Sequence, residues 1–337
     1  MSDDFDRMEA VKRMITERGE GATRIAVAEI LKSQTSTGLV SKALRYFARV
    51  TVPGGLPVFP ALVSLSTEAA GGKPEKAEPV AAGIALISWA ADVHDDVIDQ
   101  SEVKYAKKTV YGKFGSTIAI LAGDALLILG STLLNKECEA LCEEHRSEIL
   151  DLIQEATLEI GNAEAKELAL IKKPEIKPKD YLEIIRLKAV VPEIICRIGG
   201  ILAEADRETV EILGQYGRTF GIASNIRDEF LDLVDHSELQ NRLSNEVLPL
   251  PILYALQDLK LAGKIKPLIK NRTLGKKESN KIVKIVLGSK QAHSLRKELD
   301  LKIEKELKHI MSLRNSEAKK ELVMLLLATK EGLYEIV

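Results

Sequence analysis

The 337 residues carry a formal net charge of -2, with 45% hydrophobic, 29% charged and only 4% aromatic residues. A chain this long buries a large core without disulfides, and its near-neutral balance gives no overall field that selects nucleic acid. Three cysteines, an odd count, point to a reducing compartment. The stretch Met-Ser-Asp-Asp-Phe-Asp-Arg has no basic segment leading into an apolar one, so the expectation is a cytoplasmic protein without a signal peptide.

In chain order, residues 5–18 and 24–50 read as amphipathic helices, punctuated by Gly19, Gly21 and the polar stretch 35–38. Residues 52–60 form a Gly/Pro loop, and 61–70 resume a helix that Gly71, Gly72 and Pro74 end. A long helix follows over 79–99 and an apolar one over 117–135. The apolar run 118–129 carries Asp124 and is too short to span a bilayer. Further helices are expected over 146–170, after which comes a Pro/Lys loop at 171–180, then over 181–205 with Pro192 as a kink, and over 207–235. In this last helix Gly214, Gly217 and Gly221 permit close packing. Residues 248–257 begin with two prolines and continue as a helix. The remaining residues alternate Lys, Glu and Leu as solvated helical faces do. No stretch shows period-two alternation, so the fold class is all-α, a single domain over 1–337 built on long helices.

Two of these helices carry acids where apolar neighbours predict burial. Asp92, Asp95, Asp96 and Asp99 share one helical face, where like charges repel. Asp228, Glu229 and Asp232 repeat the acid-acid-x-x-acid pattern in the helix over 207–235. A solvated surface accounts for one such cluster, but not for two flanked by Ile, Leu, Val and Phe. Two such helices facing each other across a cavity would form a deep negative site, which hard divalent cations neutralise. Mg²⁺ usually completes its shell with phosphate oxygens, so a phosphorylated substrate is implied.

The chain resembles the trans-isoprenyl diphosphate synthases of the polyprenyl synthetase family from about residue 44 onward. H-D-D-V-I-D at 94–99 looks like the first aspartate-rich motif, L-A-G-D-A-L-L at 121–127 like the A-G-D segment, and Y-L-E-I-I-R-L-K-A at 181–189 like the segment with the diphosphate-binding Lys. Y-G-R-T-F-G-I-A-S-N-I-R-D-E-F-L-D at 216–232 resembles the second aspartate-rich motif, and L-P-L-P-I-L-Y-A at 248–255 the segment after it. The resemblance implies an isoprenoid-synthase-type helical bundle around a deep central cavity. It implies a Mg²⁺ cluster on Asp95, Asp99 and Asp228, with Asp96 and Asp232 in support. Lys188 would hold the allylic diphosphate, with Lys104 and Asn225 also on the substrate. The implied activity is prenyl transfer from an allylic diphosphate in isoprenoid biosynthesis. The implied partner is a second copy or a homologous subunit, with at most weak membrane contact near the basic stretch 260–277.

The second-substrate site departs from the family pattern. Where the family has G-K-R-x-R-P for isopentenyl diphosphate, this chain has Gly55-Leu56-Pro57-Val58-Phe59-Pro60; R-R-G has become Lys104-Tyr105-Ala106, and a His or Gln position is Ser88. Lys107, Lys108 and Lys113 are the cations available to compensate. Glu229 stands for an Asp, Asn225 for a Gln and Ala189 for a Thr, and no Gly-Lys loop follows the second motif. Two further readings therefore stand beside prenyl transfer: a class I terpene-synthase-like enzyme acting on one allylic diphosphate, and a non-catalytic or regulatory subunit of a heteromeric synthase. Ala90 and Ala91 before the first motif leave room for a long prenyl chain, with Trp89 as a floor, which suggests C15–C20. Cys138, Cys142 and His145 lie at helical spacing without a fourth ligand nearby, and His94 fits a packing role.

Overall fold

The structure is a computed structural model that describes residues 2–33, 37–104, 106–171, 173, 175–270 and 273–332, with side chains from residue 8 onward. Apolar residues at helical spacing recur along the chain, and it responds with helices α1 (Ser2–Lys32), α2 (Leu39–Tyr46), α3 (Val58–Ala70) and α4 (Pro74–Ile98). A two-stranded hairpin, β1 (Val103–Lys104) and β2 (Lys107–Lys108), leads into α5 (Val110–Phe114), α6 (Ser116–Cys138), α7 (Glu143–Ile171), α8 (Pro178–Lys188), α9 (Val190–Leu202) and α10 (Arg207–Val234). The chain continues as α11 (His236–Asn245), α12 (Leu250–Ala255), α13 (Leu259–Ile269), α14 (Lys276–Leu287), α15 (Lys290–Ile310) and α16 (Glu317–Gly332). The all-α expectation holds. The hairpin is the strand pairing found among the described residues.

One expectation is corrected. Gly19 and Gly21 do not interrupt α1, which runs through both. A Cβ on Gly19 would lie 2.7 Å from Pro57, and one on Gly21 2.1 Å from the Glu78 carboxylate, so these glycines admit neighbours rather than end a helix. The break expected at 35–38 holds, between α1 and α2. α1 stops at Lys32, and α2 passes into a π-helical turn over Phe47–Thr51 and a 3₁₀ turn over Val52–Gly54. Residues 34–36 lie outside the described residues.

The Pro192 expectation holds. Proline removes an N–H donor and crowds the preceding turn, and the helix breaks at Ala189, between α8 and α9. Gly217 and Gly221 of α10 lie against this break: a Cβ there would meet the Pro192 carbonyl oxygen at 2.2 Å and the Pro192 ring at 2.5 Å.

The chain groups into two compact units that each draw on distant segments. One holds Met1–Asp151, Ile195–Val210 and Arg314–Glu321; the other holds Leu152–Ile194, Glu211–Leu313 and Leu322–Val337. In the first, α4 lies against α6, α3 and α1. Its core includes the fully buried Leu62, Leu65, Leu86 and Leu126. In the second, Leu233, Ile252, Ile265, Ile282 and Val286 form a cluster under α10 to α14. α6 is 23 residues long and holds an 18-residue window of mean hydropathy 2.0, so by length and composition it is able to cross a membrane, although the run 118–129 alone is too short. Asp124 stands near its middle, and its buried face packs on α4 as a core helix does.

Candidate active site

The first acidic segment ends α4. Asp99 is its C-cap, and the Asp99 N–H donates to the Asp95 carbonyl at 2.8 Å. A helix C-terminus carries partial negative charge, so four acids there add to an unfavourable field that calls for cations. The hairpin supplies one. Thr109 ties its base together: its N–H donates to the Glu102 carbonyl at 2.9 Å and its hydroxyl to the Ser101 carbonyl at 2.7 Å. This turns β1 back, and Lys104 Nζ reaches Asp96 at 2.7 Å and Asp95 at 3.9 Å. Burial works against the Lys104 charge, yet Asp96 and Asp95 outweigh it and hold the ammonium above its ordinary value.

The acids of this segment are not equivalent. Asp96 is buried, whereas the Asp95 side chain keeps 38% of its exposure. Asp92 has solvent contact along the helix, but protein around it displaces enough water to push its carboxyl up to about 6. Asp95 and Asp96 add to that shift, and Lys104 opposes it. His94 plays the packing role expected of it. Its Nε2 lies 3.3 Å from both the Asp124 carboxylate and the Ile120 carbonyl, and the ring occupies the space a Cβ on Gly123 would need. The A-G-D stretch thus receives His94.

The altered second-substrate segment lies in the same unit. Leu56 is exposed and Phe59 half-buried. Lys107 Nζ donates to the Val50 carbonyl at 3.2 Å, and Lys113 Nζ sits 3.9 Å over the Tyr46 ring. Both cations therefore lie along the 46–54 stretch. Trp89 packs edge-to-face on Phe47, with ring centroids 5.7 Å apart. Tyr105 lies outside the described residues.

The second acidic segment belongs to the other unit, on α10. Asp228 is exposed and accepts from Arg227 at 2.8 Å. Asn225 Nδ2 donates to the Gly221 carbonyl of its own helix at 2.8 Å. Glu229 is buried and saturated: it accepts from the Tyr181 hydroxyl at 2.7 Å, from Arg242 at 2.8 and 3.0 Å, and from the Leu250 N–H at 2.7 Å. Arg242 also reaches Asp232 at 3.1 Å and Glu246 at 3.3 Å. One guanidinium shared among three carboxylates does not offset burial at Asp232, whose carboxyl is pushed up to about 7. Burial, with Glu229 beside it, keeps the Tyr181 phenol well above its ordinary value, so it stays a donor. Lys188 closes α8 between Glu164 at 2.8 Å and Glu167 at 2.7 Å of α7. Against burial, those two acids hold its ammonium above its ordinary value.

The structure thus places Asp95, Asp96, Asp99 and Lys104 together in one unit. It places Asn225, Asp228, Asp232 and Lys188 in the other. Glu164, Glu167, Tyr181, Arg242 and Glu246 were missed by sequence reasoning. Tyr181 opens a quoted motif, and Arg242 stands in the stretch read as the loss of a Gly-Lys loop. That stretch is α11, capped by Asp235, which accepts from the Ser237 N–H at 2.8 Å.

A profile described as Polyprenyl synthetase matches residues 40–286. The chain belongs to the polyprenyl synthetase family. A geranylgeranyl diphosphate synthase of Sulfolobus acidocaldarius is 29% identical over 269 residues, 79% of this chain and 78% of that one. A short chain isoprenyl diphosphate synthase of Methanothermobacter thermautotrophicus is 30% identical over 200 residues, 58% of this chain and 59% of that one. The crystal structure of geranylgeranyl pyrophosphate synthetase from Pyrococcus horikoshii aligns over 96% of this chain and 99% of its own, with a TM-score of 0.82 at 24% identity, and so shares the fold. As a polyprenyl synthetase the protein is an enzyme, a prenyltransferase of the trans-prenyl diphosphate synthase type.

The donor set suits the metal such an enzyme implies. Among the described residues no three His, Cys, Asp or Glu side chains form a ready-made metal-holding group, and Cys138 is buried with its thiol pushed up to about 11, apart from the exposed Cys142. Mg²⁺ does not need such a cage: it keeps waters and takes one or two carboxylates plus substrate phosphates. The exposed carboxylates of Asp95 and Asp228, each beside an acid already paired with a cation, are hard ligands of that kind.

Proposed function

We propose that the protein is a Mg²⁺-dependent prenyltransferase that ionises an allylic diphosphate of about C15–C20, with a non-standard second-substrate site. One observation carries this reading. In each acidic segment the second acid, Asp96 or Glu229, is buried against a cation of the chain itself, while the acid before it, Asp95 or Asp228, keeps 38% or 54% of its side-chain exposure and is open to an external cation. Asp95, Asp99 and Asp228 would hold Mg²⁺, with Asp96 and Asp232 in support. Bound Mg²⁺ supplies charge neutralisation of the departing diphosphate. Lys188, held charged by Glu164 and Glu167, and Lys104, held charged by Asp96, would each add cationic stabilisation to a diphosphate. Asn225 spends one N–H of its amide on the Gly221 carbonyl and would donate the other to the substrate diphosphate. Apolar walls exclude water from the allylic cation.

Lys107 and Lys113 support an acceptor diphosphate despite the loss of cations at Leu56, Pro57 and Phe59. The exposed Leu56 favours the second reading, an enzyme that ionises one allylic diphosphate without an acceptor diphosphate. Residues 1–337 would act as one cytoplasmic domain. The proposal also includes a homodimer, or a heteromer with a homologous subunit, for which the exposed Ile120, Leu121 and Ile128 on α6 offer an apolar face.

The deciding experiment incubates purified protein with Mg²⁺ and C10, C15 or C20 allylic diphosphate, with and without isopentenyl diphosphate, and identifies products. Elongation that requires isopentenyl diphosphate is expected. Diphosphate release with a hydrocarbon or alcohol product supports the single-substrate enzyme, and no turnover in any mixture supports the subunit. Asp95→Ala is expected to reduce whatever activity is found to background while leaving the circular dichroism spectrum unchanged. Full activity in that variant refutes the metal assignment.

A further inference from the structure

We propose that Arg242 is a positioning residue for the reaction: it sets the second acidic segment in the geometry that receives metal and diphosphate, without touching either. The inference rests on the Mg²⁺-dependent reading above and extends it to a residue of α11.

The guanidinium is almost wholly committed inside the protein. Its Nε donates to the Val247 carbonyl at 2.7 Å, Nη1 to Asp232 at 3.1 Å, and Nη2 to the Tyr181 hydroxyl at 2.7 Å and to Glu229 at 2.8 and 3.0 Å. Glu246 lies 3.3 Å away, and the side chain is only 9% exposed. A group so engaged has little left for a substrate phosphate. What it does instead is mechanical. Glu229 is fixed from four directions: Arg242 on α11, Tyr181 on α8, the Leu250 N–H at the start of α12, and its own helix. Glu229 stands next to Asp228 and one turn from Asp232, so fixing it sets the rotation of that face of α10. Arg242 also holds one oxygen of Asp232, which leaves the other available.

This arrangement answers how the segment does without a Gly-Lys loop. The residues that follow it form a capped helix whose inward Arg braces the acids. Lysine is a poor substitute, because a single ammonium lacks the planar fork that spans a backbone carbonyl and two carboxylates at once. Partners one step removed from a metal ligand orient it, and their loss typically lowers metal affinity about 10–100-fold.

The test uses the full chain and its Arg242→Met, Arg242→Lys and Tyr181→Phe variants. Binding of Mg²⁺ in the presence of a non-ionisable thiolo analogue of a C15 allylic diphosphate is measured by calorimetry, beside steady-state kinetics and thermal melting. Arg242→Met is expected to weaken Mg²⁺ binding about 10–100-fold. The Mg²⁺ concentration for half-maximal rate should rise in step, and kcat should fall more than the KM for allylic diphosphate rises. Arg242→Lys should fail to restore either, and Tyr181→Phe should shift both in the same direction by less. Unchanged Mg²⁺ affinity in a folded Arg242→Met variant overturns the proposal. So does a rise in KM alone that Arg242→Lys rescues, because that pattern belongs to direct contact with phosphate. Should Arg242→Met fail to fold, unchanged Mg²⁺ affinity in both Arg242→Lys and Tyr181→Phe overturns it equally. Wild-type protein that binds neither Mg²⁺ nor the analogue refutes the functional reading itself and the proposal with it.

Discussion

The two acidic segments share a sequence pattern and solve the same electrostatic problem with different hardware. At the first, Asp96 is neutralised by Lys104, a residue of a short hairpin whose side chain stays 43% exposed. At the second, Glu229 is neutralised by Arg242, only 9% exposed and bonded across α8, α10, α11 and the stretch before α12. A lysine on a hairpin is a point charge on a flexible stem, whereas a buried arginine is a planar brace. The first segment is thus the more adjustable of the two, and the second is a fixed wall.

The comparison breaks most visibly where the brace is deepest. Glu229→Ala removes the acceptor of Tyr181, of the Leu250 N–H and of part of Arg242 at once. Removing one partner of a buried pair leaves the other charge uncompensated, here softened by Asp232 and Glu246. The expected loss is about 3 kcal/mol of unfolding free energy, read by urea denaturation. A loss under about 0.5 kcal/mol, the range of ordinary surface substitutions, would show that the second segment is no more rigid than the first.

How much of this was legible in the sequence follows the same division. Apolar runs placed α4, α6 and α10, and Pro192 marked the break between α8 and α9, because these signals are local. The acid pattern located both segments. It did not separate Asp95 from Asp96, or Asp228 from Glu229, since which acid turns inward depends on where a later lysine or arginine returns. Gly19 and Gly21 were misread for a similar reason: their neighbours Pro57 and Glu78 are remote in sequence. The hairpin escaped because two-residue strands have no period to detect. Arg242 escaped because its partners are scattered over Tyr181, Glu229, Asp232 and Glu246.

A smaller effect is expected from Asp232 in Mg²⁺-free buffer. Burial raises its folded-state value to about 7 from 3.8, so the folded state prefers the neutral acid. That contribution is fully present below about pH 4 and is lost as pH rises through 7. With 27% of the side chain still in water, the change is roughly 2 kcal/mol. Wild-type stability should fall across that window relative to Asp232→Asn, measured by denaturation at several pH values. Parallel curves for the two proteins would place Asp232 in water and loosen the wall.

The smallest effect belongs to the looser clamp. Lys104→Met strips Asp96 of its cation but leaves the hairpin held by Thr109, which bonds Ser101 and Glu102 without Lys104. Burial already raises the Asp96 carboxyl, and Lys104 is what opposes it. Without the lysine the carboxyl moves higher still and takes up a proton rather than remaining a buried charge. The cost is therefore bounded at about 1 kcal/mol near neutral pH. It should shrink as the pH falls through the carboxylate range, where Asp96 takes up a proton and the pair has less charge to lose. Denaturation of Lys104→Met and wild type at acid and neutral pH checks this. A loss near neutral pH as large as that of Glu229→Ala would mean that Lys104 braces its segment as firmly as Arg242 does, and the contrast between hairpin and helix would fall.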